Sequence, residues 1–510
     1  MGATTMVNSI RLNAADNVVV ASGDILSGTD IGGEGVSATS DILRGHKVAT
    51  VAIGRGDAVR KYDQIIGFAT VDIQPGDHVH SHNLAFGEFE RDYAFGEGAE
   101  QTQFVPENDR ATFQGYVRAD GSIGTRNYVG VLASVNCSNS VAQMIAQAFS
   151  ADVMIDFPGV DGVVALPHQT GCCIPLDGDT HNNLERTLVG HARHPNFAGV
   201  LVVGLGCEVA QIDEMLTRYG LSKGDRLRTL VIQDNGGTVA TVAAGVQHVR
   251  EMVELADQAE RQTCPASALT VALECGGSDA YSGITANPAL GVAVDTLVRH
   301  GGTAILAETP EIYGAEHLLT RRAVSREIGE KLIAHIDWWK AHTSANHAEM
   351  DNNPTPGNKK GGLTTILEKS LGAAAKGGTT ALVDVYRYAE PVTAKGFVFM
   401  DSPGYDPASI TGMVSGGANV TCFTTGRGSV YGGKPVPSIK LATNTPMYER
   451  MADDMDINCG TVADGEQTTQ ELGQEIFQMI LNTASGHKPR SETHGIGGLE
   501  FCPWQIGVVM

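Results

Sequence analysis

Along residues 17–83 the apolar positions come in short β-rich runs, "NVVVAS", "HKVATVAI", "QIIGFATVDI" and "DHVHSHN", broken by Gly and Asp. Short runs separated by turn residues predict a small all-β module, here residues 12–85. The next stretch, "FGEFERDYAFGEGAEQTQFVPENDRATFQ" at 86–114, holds no sustained period and predicts a linker. From Gly115 the pattern changes. Runs that are apolar throughout, "YVGVLASV", "DGVVALP", "AGVLVVGLG", "TLVIQD", "LTVALE", "GTAILAE", "TALVDVY", "GFVFMD" and "NVTCFTT", alternate with helical stretches such as "EIGEKLIAHIDWWKAH". Strands apolar on both faces and alternating with helices predict an α/β region with a Rossmann-like parallel sheet, carried by residues 115–345 and 346–510. Between these parts, "NHAEMDNNPTPGNKKGGLTT" breaks the rhythm and reads as a second linker or a loop over a site.

Composition narrows the picture. The 510 residues exceed one ordinary core, and 36 Lys+Arg against 58 Asp+Glu give a net charge of −22. Without basic runs, nucleic acid and anionic membrane are excluded as natural partners, and an acidic ligand needs a locally positive pocket. No apolar run reaches the roughly 20 residues of a membrane span, and "MGATTMVNSIRL" lacks a leader pattern, so a soluble cytoplasmic protein is expected. Nine cysteines in such a chain predict reduced thiols.

In open α/β sheets ligands bind beyond the carboxyl ends of the strands. There the sequence places Cys137 in "NCSNS", His168 and Cys172 in "HQTGC", Cys207 and Glu208 in "GCE", and Cys275, Ser278 and Asp279 in "CGGSD", with Glu308 and Glu311 following "GTAILAE". Cys137, Cys172 and Cys207 follow one another at intervals of 35 residues, one βα repeat each. Thiolates on neighbouring loops suit iron or zinc, whereas single cysteines often only fill space. His78, His80 and His82 alternate along an extended segment and point one way, which makes His80 and His82 secondary metal candidates. His46, Lys47 and Lys61 offer acid, base and carboxylate contacts, and Arg427 and Lys440 lie in a Gly- and Thr-rich stretch suited to a carboxylate. No GxGxxG or GxxxxGK[ST] is present, which argues against a nucleotide and a nicotinamide-dependent oxidoreductase.

Taken in order, "GYVRADGSIGTRNY", "GLGCE", "ECGGSDAYSGITANP", "NPTPGNKKGG", "TTGRG", "SIKLATNT" and "DMDINCG" resemble the altronate and galactarate dehydratases, sugar-acid hydro-lyases. The resemblance implies an N-terminal SAF (β-clip) domain, a linker and a Rossmann-like core. It further implies dehydration of a hydroxylated carboxylate to a 2-keto-3-deoxy acid, dependent on Fe2+ or another divalent metal such as Mn2+. Sulfolactate sulfo-lyases are similar and eliminate sulfite instead of water, and a sugar-acid binding protein is the non-enzymatic alternative. On this reading the metal sits among Cys137, Cys172, Cys207 and Cys275. His46, His168, Glu208 and Asp279 form the catalytic set, and Lys47, Lys61, Arg126, Asn127, Ser278, Arg427 and Lys440 hold substrate. The expected partners are a small hydroxy acid and a second copy of the chain in a dimer.

Overall fold

The structure is a computed structural model, and it describes residues 8–507; the N-terminal segment read above for a leader lies partly outside them. The first module is all β. Strands Ser9–Ile10, Val18–Ala21, Lys47–Ala49 and His78–Val79 form one antiparallel sheet, and Ala58–Lys61, Gln64–Ala69 and Leu84–Ala85 a second. One of its two hydrophobic clusters, around Val19, Ile25, Ile42 and Val48, is its own, but the other is not self-contained. Val18, Ile53, Val59, Ile66, Val79 and Leu84 pack with Ala315, Leu371 and Ala374, which belong to the C-terminal domain. Docking therefore completes the second cluster, which so small a module would otherwise leave open.

Residues 86–111 carry almost no regular structure, as the aperiodic sequence predicts, yet they are tied down. Gly96 N–H donates to Thr320 C=O, Gly98 N–H donates to Arg321 C=O, and Arg91 pairs with Glu316 at 3.6 Å.

All nine apolar runs form strands, but they are dealt to two sheets. The middle domain holds four parallel strands in the order Gly162–Leu166, Tyr128–Ala133, Phe197–Gly204, Leu227–Val231, covered on both faces. The C-terminal domain holds seven, all parallel, in the order Leu382–Tyr386, Phe397–Met400, Thr303–Leu306, Thr270–Cys275, Val420–Thr425, Ser438–Ala442, Ile457–Asn458. Along Thr270–Cys275 side chains alternate between the two faces. Val271 and Leu273 meet helices Ala286–Arg299 and Thr469–Ala484, and Ala272 meets helix Asp406–Ser415. A small antiparallel sheet, Ile123–Gly124, Thr112–Val117 and Gln262–Pro265 in that order, lies where the chain passes between the two sheets.

The chain enters the larger sheet at its centre. From Thr270–Cys275 it moves to one side, and it later returns to Val420–Thr425 on the other. The loops leaving these two neighbours therefore diverge, and such a switch point opens a crevice at the carboxyl edge. The segment 347–365 fills the space above it. It is neither a linker nor free: Thr355 caps the short helix Pro356–Lys360, and Asn358 Nδ2 donates to the Ser278 carbonyl at 2.8 Å.

Candidate active site between the β module and the large sheet

The two diverging loops are laced together. Gly276 N–H donates to Thr424 C=O, and the N–H groups of Gly426 and Arg427 donate to Gly277 C=O. Gly277, at φ 60°, adopts the left-handed turn this requires. Asp279 organises the lip. Its Oδ1 accepts from the N–H groups of Tyr281 and Ser282 and from Thr443 Oγ1, and its Oδ2 accepts from Asn444 Nδ2. The Ser278 hydroxyl, by contrast, is buried without a partner and lines a narrow cavity with Tyr62, Cys275, Asp279, Asn287, Glu368 and Lys369.

Below that cavity lies a dense ionic centre. Donor atoms of Cys275, Glu308 and Glu311 lie within 4.8 Å of one another, as do those of Glu274, Glu308 and Asp406. Lys376 Nζ donates to Cys275 Sγ at 3.0 Å, Lys369 Nζ donates to Glu311 Oε1 at 2.5 Å, and Lys376 lies 3.9 Å from Glu308. Burial, reinforced by Glu274 and Glu311, pushes Glu308 well above the carboxylate range. Lys369 and Lys376 hold Glu311 below it in spite of its burial. Burial, with the charges of Glu274 and Glu311, brings Asp406 up to about 7. Glu308 takes a left-handed backbone, φ 68° and ψ 71°, unfavourable for a side chain of its size, and both its carboxylate oxygens are buried without a hydrogen bond. Unpaired buried carboxylate oxygens beside a thiol and further carboxylates are the surroundings a divalent cation satisfies, so the residues fit such an ion.

The β module supplies the other wall. Lys47 Nζ donates to both oxygens of Glu368 and to Gly362 C=O, and Lys61 Nζ donates to Glu368 Oε1 at 2.9 Å, all fully buried. Burial lowers Lys47 to about 8, while the two ammonium groups together hold Glu368 far below the usual carboxylate range despite its burial. At the outer edge His46 Nδ1 lies 2.9 Å from His78 Nε2, and His80 completes a group of three within 4.8 Å. Burial lowers His78 to about 4 and His80 to about 3. The exposed Arg427 rises from the opposite lip, where a Cβ on Gly361 would lie 3.3 Å from its Cδ.

The structure thus gathers His46, Lys47, Lys61, Cys275, Ser278, Asp279, Arg427 and His80 at one seam, with the exposed His82 ring centred 5.3 Å from that of His78. Lys47 and Lys61, however, spend their ammonium groups on Glu368 and fasten the module. Other sequence candidates lie elsewhere. Cys137, Cys172 and Cys207 do share a rim, since Asn136 N–H donates to Thr170 C=O and Val209 N–H to Gly171 C=O, but it is the exposed rim of the middle sheet. Cys275 is buried on the other sheet, so the four thiols do not converge; among the described residues, no three cysteines bring their sulfurs within 4.8 Å. Glu208 accepts from Ser134 Oγ and the N–H groups of Leu205 and Gly206, which closes its own loop. His168 bonds Ala133 C=O, Asn127 bonds Gly159 and Ala256 C=O, and Arg126 is taken up by Glu492 and backbone carbonyls. Lys440 is buried within a strand, 5.9 Å from the Phe423 ring.

Sequence reasoning missed Glu274, Asp406, Lys369, Lys376 and Glu368, and it placed His78 only in an alternating row with His80 and His82. Two signals were present. Glu274 is an acid inside an otherwise apolar strand, and Lys369 and Lys376 are seven residues apart, on one face of helix Ile366–Ala375 and its cap.

Fold and site together define a parallel-sheet protein whose N-terminal β module closes over a buried acid and thiol centre at a switch point. The chain belongs to the D-galactarate/altronate dehydratase family: its models match as the SAF domain over residues 7–87, the second domain over 115–257 and the C-terminal domain over 266–509. Altronate dehydratase of Bacillus subtilis is 36% identical over 487 residues, 94% of this chain and 96% of the relative. Galactarate dehydratase (L-threo-forming) of Escherichia coli is 37% identical over 94% of this chain and 93% of its own. The β subunit of (2R)-sulfolactate sulfo-lyase from Chromohalobacter salexigens is 34% identical over 392 residues, 75% of this chain and 95% of that subunit.

Proposed function

We propose that the protein is a metal-dependent sugar-acid dehydratase, acting on D-altronate or a related aldonate or aldarate to release a 2-keto-3-deoxy acid and water. The observation that carries this reading is the charge count at the buried centre. Glu274, Glu308, Glu311 and Asp406 face only Lys369 and Lys376, so full ionisation leaves an excess of negative charge that a divalent cation offsets. Cys275, Glu308 and Glu311 would hold Fe2+ or Mn2+, which supplies Lewis acidity toward the carboxylate and hydroxyl oxygens of a bound acid.

The chain's own groups do the rest. Arg427 and Lys360, exposed at the mouth, draw the substrate carboxylate into an otherwise acidic protein. The unpartnered Ser278 hydroxyl holds a substrate hydroxyl, which removes the cost of its own burial. Asp406, whose carboxylate lies within 4.8 Å of those of Glu274 and Glu308, takes the C2 proton and delivers it to the departing C3 hydroxyl; the enol left behind tautomerises to the keto acid. Lys369 keeps Glu311 ionised, and Lys376 positions the Cys275 sulfur. Tyr62, Leu363 and Ala373 wall the cavity against bulk water. Nine unpaired cysteines support a reducing, cytoplasmic setting.

The test incubates the reduced, iron-loaded full chain with a panel of aldonates, aldarates and sulfolactate and no other cofactor. Keto acid from one sugar acid is the expected result. Sulfite from sulfolactate would reassign the enzyme as a sulfo-lyase, and no product from any acid would leave a binding protein.

A further inference from the structure

The three histidines at the seam do not take part in the chemistry above, and their geometry is specific. His46 leaves the module on strand Lys47–Ala49's approach, and His78 and His80 come from the antiparallel neighbour of that strand. His46 Nε2 lies 3.4 Å from the Lys360 carbonyl, which can only accept, so that nitrogen carries the proton and Nδ1 carries the lone pair. That lone pair faces His78 Nε2 at 2.9 Å. Two nitrogens bound to one ion at roughly 2.0–2.1 Å each stand about 3 Å apart, so the pair is spaced as two ligands of one cation. The His80 ring stacks 5.5 Å from His78 and 4.8 Å from His46, and its Nδ1 is buried with no partner. A backbone carbonyl that fixes the tautomer of a ligating imidazole is a recurrent outer-shell arrangement in metal sites.

We infer that His46, His78 and His80 form a second metal site, distinct from the Cys275 and carboxylate centre, that takes a first-row divalent transition cation at the seam between the β module and the core. Three neutral imidazoles select Fe2+, Co2+, Ni2+ or Zn2+ over Mg2+ or Ca2+. They leave a coordination position open for water or an anionic oxygen, as three-ligand sites do. Lys47, next in the chain to His46, works against added positive charge, and Glu368 offsets it through its direct pairing with Lys47. The inference does not depend on the reaction proposed above.

Chelator-stripped full chain titrated anaerobically with Co2+ alone tests it. The wild type should bind two ions per chain, one with a near-ultraviolet thiolate charge-transfer band and one with visible d–d bands of nitrogen ligation. His78→Ala/His80→Ala, and the milder His80→Gln should the double variant fold poorly, should lose the second ion and its visible bands while keeping the thiolate band. Cys275→Ser should do the reverse. A wild type that binds only the thiolate ion, or histidine variants that keep both the stoichiometry and the spectrum, would overturn the second site. Loss of the thiolate band alone would instead count against the proposed catalytic centre.

Discussion

Two parallel sheets in this chain carry cysteines at their carboxyl edges, and they use them in opposite surroundings. In the middle domain Cys137, Cys172, Cys173 and Cys207 are exposed on loops tied by backbone hydrogen bonds, and the nearby Glu208 is consumed by its own loop. In the C-terminal domain Cys275 is buried beside Lys376 and four acids that outnumber their cations. The strand-end position is common to both. What differs is whether unsatisfied charge has been taken out of water, and that imbalance, more than position, creates a need for a ligand.

The sharpest way to break the comparison is to exchange the thiols one at a time. Cys275→Ser or Glu308→Gln should lower kcat by roughly 100-fold or more and remove bound metal, since ligand loss exceeds the 10–100-fold typical of outer-shell changes. Cys137→Ser, Cys172→Ser and Cys207→Ser should leave turnover within about twofold. Equal losses at both rims, measured as turnover and metal content, would erase the distinction.

Next in size is the fastening of the module to the larger sheet. Glu368→Gln strands two buried ammonium groups, and removing one partner of a buried ion pair costs about 3–5 kcal/mol. Urea denaturation should show this loss, accompanied by early release of the β module. A change below about 1 kcal/mol would mean that the lysines reach water.

Acid should act on the middle domain through three fully buried histidines, and on the β module and the C-terminal domain through the partly buried His78, His80 and His317. Burial holds His168, His191 and His194 at about 4, about 3 and about 4, below their unfolded value. Between the unfolded value of about 6.5 and these folded values the unfolded chain binds more protons than the native one. Stability is therefore lost as pH falls from about 6.5 toward 4, with a slope of up to roughly 1.4 kcal/mol per pH unit per histidine. Asp406 runs the other way: its raised pKa contributes stability below about 3.8 that is gone by about 7. Amide hydrogen exchange across this range should show protection falling in strands 128–133 and 197–204 of the middle domain as the pH drops. The smallest effect is expected from alkylation. Native protein should label rapidly at the four exposed thiols and keep its activity, while Cys275 reacts only after unfolding.

Much of this was legible in the chain. The nine apolar runs became strands, the central ones buried on both faces and the edge strands Gly162–Leu166, Leu227–Val231 and Leu382–Tyr386 partly so, and the helix predicted at "EIGEKLIAHIDWWKAH" spans Arg326–Ala345. The division of strands between two sheets was not legible, because it depends on which distant runs pair and not on any local period. Equal spacing put Cys137, Cys172 and Cys207 on one rim, which they share, but grouping Cys275 with them from its strand-end position failed, because a strand end does not tell which sheet the strand joins. Lys369 and Lys376 in "EKSLGAAAK" look like ordinary surface charges, and only the packing of their helix against the site buries them. "ECGGSDAYSGITANP" was legible as a strand-end turn, and the structure places it along the cavity beside the buried acids.

The buried pairing of Lys47 and Lys61 with Glu368 has a consequence for how the polypeptide must be joined. Together with the apolar core shared with Ala315, Leu371 and Ala374, it holds the β module by contacts that do not run through residues 86–111. Continuity of the backbone is thus a convenience of synthesis and not a condition of assembly. A chain severed within 99–104, where no residue is fully buried, should remain a working two-piece complex.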